Sequence, residues 1–372
     1  MTGRVLVVGG GIAGFAAARA LERRGIGSVV VDRLAAPPAG GLGLNLPGNA
    51  VQALRSLGVG DELAERGVPI RRREYRNAKG RLLFAVDESA FWGTSVSSVC
   101  VRRSDLLDLL RAGVPADTVR WGTTVTGLTA GPDDVRVHLG DGRTEAYTLV
   151  VGADGVRSAV RRVILGDADP RPALLSAESW RFVVPNPGVA CWTVWSGAEG
   201  TFLLIPVDAD HVYGYASATR GGTIGADVEW LSSTFARFPD LVQATVTALM
   251  ATPSSLYPSP VEEVRVERWS TQRGVLIGDA AHATGPVWAQ GAALAVEDAL
   301  VLADLLADRD DWTHVGEDFE RRRRPRVSHV QKMTDRLSRV ARLPTWLRDP
   351  IAPIVGPRTY RETYGPLRQP VA

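Results

Sequence analysis

Lysine is almost absent from this 372-residue chain: only Lys79 and Lys332 stand among its 43 basic residues. The others are arginine, a bias that codon usage in a GC-rich genome produces without any anionic partner. Net charge is scarce as well. The balance of 43 basic against 41 acidic residues leaves +2, which excludes a nucleic-acid binder that works by neutralising phosphates. The only cysteines, Cys100 and Cys191, form no CxxC or His/Cys cluster, so neither a disulfide framework nor a metal site is expected. No run approaches the ~18 continuous apolar residues of a membrane span. The apolar stretch 5–18 is broken by glycines and has no basic region beyond Arg4, unlike a signal peptide. A cytoplasmic protein without a membrane partner is the expectation. A 45 % hydrophobic and 23 % charged composition rules out disorder, coiled coil and collagen, and ten tryptophans are the notable surplus. The length allows two or three domain-sized units.

The pattern opens with a buried strand at 4–8, a helix at 12–24 closed by Gly25, and a β-branched strand at 28–32. A Pro/Gly-rich loop at 37–43 precedes a helix at 49–57, and 71–76 with 81–86 reads as a hairpin across Asn77-Ala78-Lys79-Gly80. A helix at 106–111 is followed by short strands over 119–151, with turns at Gly131-Pro132-Asp133 and Asp141-Gly142. From about residue 176 the strands become aromatic: 180–184, 190–195, 201–206 and 212–218. Helices at 231–238 and 241–250, a strand at 264–269, a buried strand at 274–277 and helices at 291–307 and 319–340 complete the pass. The expected fold is α/β. A Rossmann-like nucleotide domain (1–70, 99–175 and 271–372, with C-terminal helices) is interrupted by a β-rich substrate domain (71–98 and 176–270).

Three motifs carry chemistry. Gly9-Gly10-Gly11-Ile12-Ala13-Gly14 fits G-x-G-x-x-G between a strand and a helix, where glycines let backbone N–H groups approach a pyrophosphate at the positive helix end. Asp32 ends the next strand, placed to accept hydrogen bonds from a ribose, with Arg33 beside it. The second motif is Gly152-Ala153-Asp154-Gly155 after a buried strand. In the third, Gly278-Asp279 delivers a carboxylate at a strand end, followed by His282, Pro286 and Gln290-Gly291-Ala292 at a helix start.

Taken in this order, with Arg103-Ser104-Asp105-Leu106 matching R-x-x-L and Arg323-Arg324-Pro325-Arg326 matching R-x-P-R, the chain resembles the flavoprotein monooxygenases of the para-hydroxybenzoate hydroxylase family. That resemblance implies FAD and NAD(P)H as cofactors, dioxygen as co-substrate, and attack of a flavin C4a-hydroperoxide on an electron-rich aromatic. It assigns the ADP half of FAD to Gly9, Gly11, Ile12, Ala13, Gly14, Asp32 and Arg33. Arg103 would lie along the pyrophosphate and ribityl, and Asp279 on the ribityl hydroxyls. Pro286, Gln290, Gly291 and Ala292 would adjoin the flavin, and Asp154 would serve both flavin and NAD(P)H. No dedicated protein nucleophile is implied, since the flavin carries the chemistry.

Two positions depart from the family: Ala289 stands where glycine is usual, and Ala293 where asparagine is common. Ala289 adds a methyl and resists positive φ. His282 reads as packing rather than as a base, Arg181 as solvated or salt-bridged, and 321–324 as a solvated arginine face. Trp192, Phe202, Tyr213 and Tyr215, with Trp288 from the flavin side, are expected to wall a pocket for a bicyclic or larger aromatic. Trp180 and Trp195 lie on the same alternating strands, of which only about half the side chains reach one cavity. Epoxidation, Baeyer–Villiger insertion, a redox-neutral cyclase or isomerase, and a flavin-binding partner without turnover are the alternatives. Halogenation is disfavoured, because the chain has no W-x-W-x-I-P segment.

Overall fold

The computed structural model describes residues 4–371 apart from 38–41, 132, 167–171, 177–178, 219–228, 259 and 342. Most of the expected 37–43 loop and the centre of the Gly131-Pro132-Asp133 turn therefore lie outside the described residues.

The central strands of one sheet are short, β-branched and buried. Its order is Ser270–Thr271, Gly274–Leu276, Leu149–Gly152, Val5–Val8, Ser28–Val31 and Val119–Arg120. Val5–Val8 sits in the middle, wholly buried and parallel to both neighbours. Burial on both faces explains a continuous apolar run where alternation would otherwise appear. The helix Ile12–Arg23 packs on the helix Gly291–Ala307. It leaves the first strand so tightly that a Cβ on Gly14 would stand 1.8 Å from the Gly9 carbonyl oxygen.

The second large sheet runs in the order Tyr257–Pro258, Ser179–Pro185, His211–Ala218, Gly200–Pro206, Trp192–Ser196, Arg72–Asn77 and Leu82–Asp87. Its one parallel pairing, Trp192–Ser196 with Arg72–Asn77, brings the early hairpin into the later meander. Alternation divides the side chains strictly. Phe182, Trp195, Phe202 and Leu204 face the helices Glu229–Phe235 and Asp240–Ala251, closing an aromatic core with Phe235 and Leu249. Their strand neighbours Arg181, Trp192, Leu203, Tyr213 and Tyr215 face the opposite way, into a cavity. The α/β architecture with an interposed β-rich sheet and C-terminal helices is thus the one observed.

Two local expectations fail, and one long helix goes beyond them. Residues 264–269 form no strand; the ladders lie on either side, at Val261–Glu263 and Ser270–Thr271. The backbone between is satisfied otherwise, for instance by the Trp269 N–H donating 2.8 Å to Glu320. The last helical stretch is longer than expected, Val315–Ala341, with Pro325 inside it. A further helix, Thr345–Tyr364, was not expected at all, since Pro350, Pro353 and Pro357 argue against one. Pro350 and Pro353 are exposed and Pro357 is half-buried. Spacings of three and four place all three on one face.

Candidate active site

A cavity of about 1620 Å³ opens between the C-terminal ends of the parallel strands and the inward face of the second sheet. This is where open α/β sheets bind ligands. Gly11, Ile12 and Ala13 line it, as do Arg103, Asp279, Pro286, Gly291 and Ala292. The glycine loop has the geometry of a backbone cradle. Gly9 holds φ 113 with the Ala153 carbonyl oxygen only 2.4 Å from where a Cβ would stand, whereas Gly11 has nothing within 4 Å. Asp32 accepts from the Gly10 N–H at 2.7 Å and the Leu34 N–H at 2.8 Å, which fixes its carboxylate at the end of Ser28–Val31. Arg33 beside it is exposed and does not line the cavity.

Asp279 begins the short helix Asp279–His282 and has no hydrogen-bond partner among the described residues. Its carboxylate is open to the cavity, with protein on its other sides. Desolvation there raises its pKa above the ordinary value, against the pull of His282, Arg103 and Arg181.

Asp154 and Gln290, expected at the cofactor, spend their side chains elsewhere. Asp154 caps the helix Ala159–Leu165, accepting from Ser158 Oγ, the Ala159 N–H at 2.6 Å and the Val160 N–H at 3.1 Å. Only its neighbours Ala153 and Gly155 reach the cavity. Gln290 is fully buried and exchanges two amide hydrogen bonds with Asn49, at 3.0 and 3.1 Å. Ala289 adopts the left-handed conformation (φ 52, ψ 36) despite its Cβ, and Ala293 is buried in the helix that follows.

Behind this side of the cavity lies a buried charged network. His282 Nε2 lies 2.7 Å from Asp298, whose carboxylate also accepts from Arg323 Nε at 2.7 Å and the Gly278 N–H at 2.8 Å. Glu297 bridges Arg323 and Arg326. His282 is therefore a structural group, as the sequence suggested. The solvated-arginine reading of 321–324 fails at Arg323, which has no exposed surface, and at Arg324, which sits 4.5 Å over the Trp269 ring. The R-x-P-R arginines staple the Gly278 turn and the helix Gly291–Ala307 to the helix Val315–Ala341.

On the opposite wall, Trp192, Tyr213 and Tyr215 line the cavity, and Trp288 does so from the cofactor side. Phe202 does not. It pairs with Trp195 across the ladder and packs on Phe235 at 5.0 Å and Phe182 at 5.7 Å. One residue of strand parity separates the expectation from the observation. The wall also contains residues the sequence did not flag. Tyr75 stacks on Phe84 at 4.2 Å, and Ile351, Ala352 and Val355 come from the C-terminal helix. Arg181 enters the cavity wall half-buried, with no ion-pair or hydrogen-bond partner among the described residues, so the salt-bridged half of the expectation fails. Val194 lines the cavity too, and strand alternation from Trp192 was the available signal for it; for the C-terminal helix there was none.

A glycine cradle, a strand-end carboxylate and an aromatic wall over one cavity make a dinucleotide-binding site that faces a pocket for a planar molecule. Residues 2–334 match the FAD binding domain family. The chain is 32 % identical to 2-heptyl-3-hydroxy-4(1H)-quinolone synthase of Pseudomonas aeruginosa, over 94 % of each chain. It is 35 % identical to the aurachin C monooxygenase/isomerase of Stigmatella aurantiaca, covering 82 % of this chain and 80 % of that one. HpxO of Klebsiella pneumoniae, solved with FAD and uric acid, superposes with a TM-score of 0.82 at 25 % identity, over 98 % of this chain and 92 % of the other. The protein belongs to this family, as an FAD-dependent aromatic monooxygenase of the group that the sequence resembles. The site fits FAD: Gly9 and Gly14 tolerate no Cβ, Gly11 is open, and Asp279 presents an unpartnered carboxylate. No helix among the described residues is long and apolar enough to cross a membrane.

Proposed function

We propose that the enzyme hydroxylates a flat bicyclic heteroaromatic with an apolar tail, of the 2-alkyl-4-quinolone kind, at the expense of NAD(P)H and dioxygen. One observation carries the reading. The cavity face of the second sheet presents Tyr75, Phe84, Trp192, Tyr213 and Tyr215, with the unpartnered Arg181 among them. An aromatic wall favours a planar ring by ~0.5–1.5 kcal/mol beyond area burial. The Arg181 guanidinium suits a ring carbonyl or phenolate oxygen, and Leu203, Ile351 and Val355 suit an alkyl chain. A small, highly charged substrate would leave this aromatic face unused. The names of the quinolone-forming and aurachin relatives agree with this choice.

In this reading 1–70, 99–175 and 271–372 hold FAD, while 71–98 and 176–270 supply most of the substrate wall. Gly9, Gly11, Gly14 and Asp32 take the ADP half, Arg103 the pyrophosphate, and Asp279 the ribityl hydroxyls. When bound, FAD supplies hydride acceptance and oxygen activation. The chain's own work is placement. The N-terminus of Gly291–Ala307 stabilises negative charge beside it by ~0.3–2 kcal/mol. The apolar wall excludes water that would divert the oxidant.

The test is NAD(P)H oxidation coupled to oxygen uptake on a panel of 2-alkyl-4-quinolones and hydroxybenzoates. The quinolones stimulate both and gain one atom from labelled dioxygen. Stimulation by hydroxybenzoates alone would overturn the substrate class, and isomerised product without labelled oxygen would restore the redox-neutral alternative.

A further inference from the structure

The C-terminal helix Thr345–Tyr364 ends against the cofactor side of the cavity. There the Tyr364 hydroxyl donates a buried 2.8 Å hydrogen bond to the Trp288 carbonyl. The two rings meet edge to face, 5.8 Å apart at 88°. That carbonyl belongs to the peptide joining Trp288 to Ala289, and Ala289 is the one non-glycine residue with positive φ among the described residues. A residue with a Cβ is strained there. Turning the peptide over would carry Ala289 to negative φ and release the strain. It would also take the carbonyl away from Tyr364 and disturb the 2.9 Å bond from the Ala289 N–H to Pro286.

Tyr364 is itself held in place. The Arg73 guanidinium lies 5.7 Å from its ring, 5.8 Å from that of Tyr360 and 5.1 Å from that of Trp192. Arg73 pairs with Glu88 at 2.5 Å, and Glu88 accepts from the Tyr360 hydroxyl and Ser98 Oγ. Burial pushes the Tyr364 phenol well above its ordinary value, with Arg73 opposing, so the hydroxyl remains a donor at working pH.

We propose that Tyr364 is a positioning residue for FAD, whose hydroxyl holds the Trp288–Ala289 peptide in the strained orientation that the cofactor side of the cavity requires. It compensates for alanine at a position where a glycine would adopt the turn freely. The proposal rests on the assignment of Gly291 and Ala292 to the flavin side; Ala289, just before them in the chain, lines the same cavity. It is independent of the substrate class.

The experiment compares Tyr364→Phe, Ala289→Gly and the double variant. It reads FAD dissociation constant from flavin fluorescence, the visible flavin spectrum, and the unfolding temperature of the apoprotein. Tyr364→Phe keeps the ring and removes the donor. FAD Kd is expected to rise about five- to tenfold and the flavin spectrum to shift. Ala289→Gly alone leaves Kd within about twofold of the wild type, and the double variant recovers wild-type affinity and spectrum, because glycine needs no lock. Wild-type affinity in Tyr364→Phe overturns the proposal. So does a loss that Ala289→Gly does not recover and that follows a drop in apoprotein unfolding temperature, since the hydroxyl is then only a stabilising contact. If the single variant does not fold, the double variant decides: wild-type affinity supports the lock, and a five- to tenfold loss overturns it. No readout uses a substrate, so failure of the quinolone assignment cannot be mistaken for failure of the lock.

Discussion

The two large sheets meet at one cavity but serve it differently. The parallel sheet works through the ends of its strands: a glycine loop after Val5–Val8, Asp32 after Ser28–Val31, and Asp279 shortly after Gly274–Leu276. The second sheet works through a face, where every other side chain reaches the cavity and the intervening ones build a core. Strand-end chemistry depends on backbone and charge. Strand-face chemistry depends on parity. A one-residue error leaves a strand-end site nearly intact and inverts a strand-face site completely.

The largest expected effect breaks the strand-end side outright. Gly14→Val places side-chain carbon onto the Gly9 carbonyl and should yield no FAD-loaded protein, checked by flavin content after purification. Next comes the buried network behind that side. Desolvation pushes the Asp298 carboxyl up, but the charges of His282 and Arg323, with hydrogen bonds from His282 and the Gly278 N–H, hold it below its ordinary value. A depressed folded pKa contributes stability that is present above the unfolded value of ~3.9 and lost as pH falls below it. Asp298→Asn should therefore destabilise by about 3–5 kcal/mol at neutral pH and flatten the acid limb of the unfolding curve. Retention of the acid limb would show that other carboxylates carry it.

On the strand-face side the comparison sharpens within one sheet. Phe202→Ala should cost about 3–5 kcal/mol in denaturant unfolding and leave KM unchanged, since its ring lies in the core away from the cavity. Tyr215→Ala, at a half-exposed cavity position, should cost little stability and raise substrate KM about three- to tenfold. A reversed pattern would place the substrate on the other face of the sheet.

What the sequence disclosed follows the same division. Strand-end features are local: a glycine run, a terminal acid and a following helix occupy a few consecutive residues, and the helix at 291–307 was placed to the residue. Phe202 was misplaced because alternation fixes which residues share a face, while which face meets the cavity is set by the helices Glu229–Phe235 and Asp240–Ala251 covering the other one, which composition does not encode. Asp154 and Gln290 sat in the right motifs, yet their side chains found partners in Ala159, Val160 and Asn49 that no spacing rule announces. Arg323 read as solvated because its carboxylate partners lie on another helix, with Glu297 26 residues away. The helix Thr345–Tyr364 was hidden by its prolines, and with it the Tyr364 contact to Trp288.

The division between strand ends and strand faces is tested most directly by measuring FAD Kd and substrate KM on the same preparations of Asp279→Asn and Tyr215→Ala. Losing the strand-end carboxylate removes charge-assisted hydrogen bonds worth ~1.5–3 kcal/mol, so FAD Kd should rise about ten- to a hundredfold with substrate KM unchanged at saturating FAD. Tyr215→Ala should do the reverse, raising KM and leaving FAD Kd as in the wild type. An Asp279→Asn protein with wild-type FAD affinity, or a Tyr215→Ala protein whose FAD affinity falls while KM holds, would contradict the account.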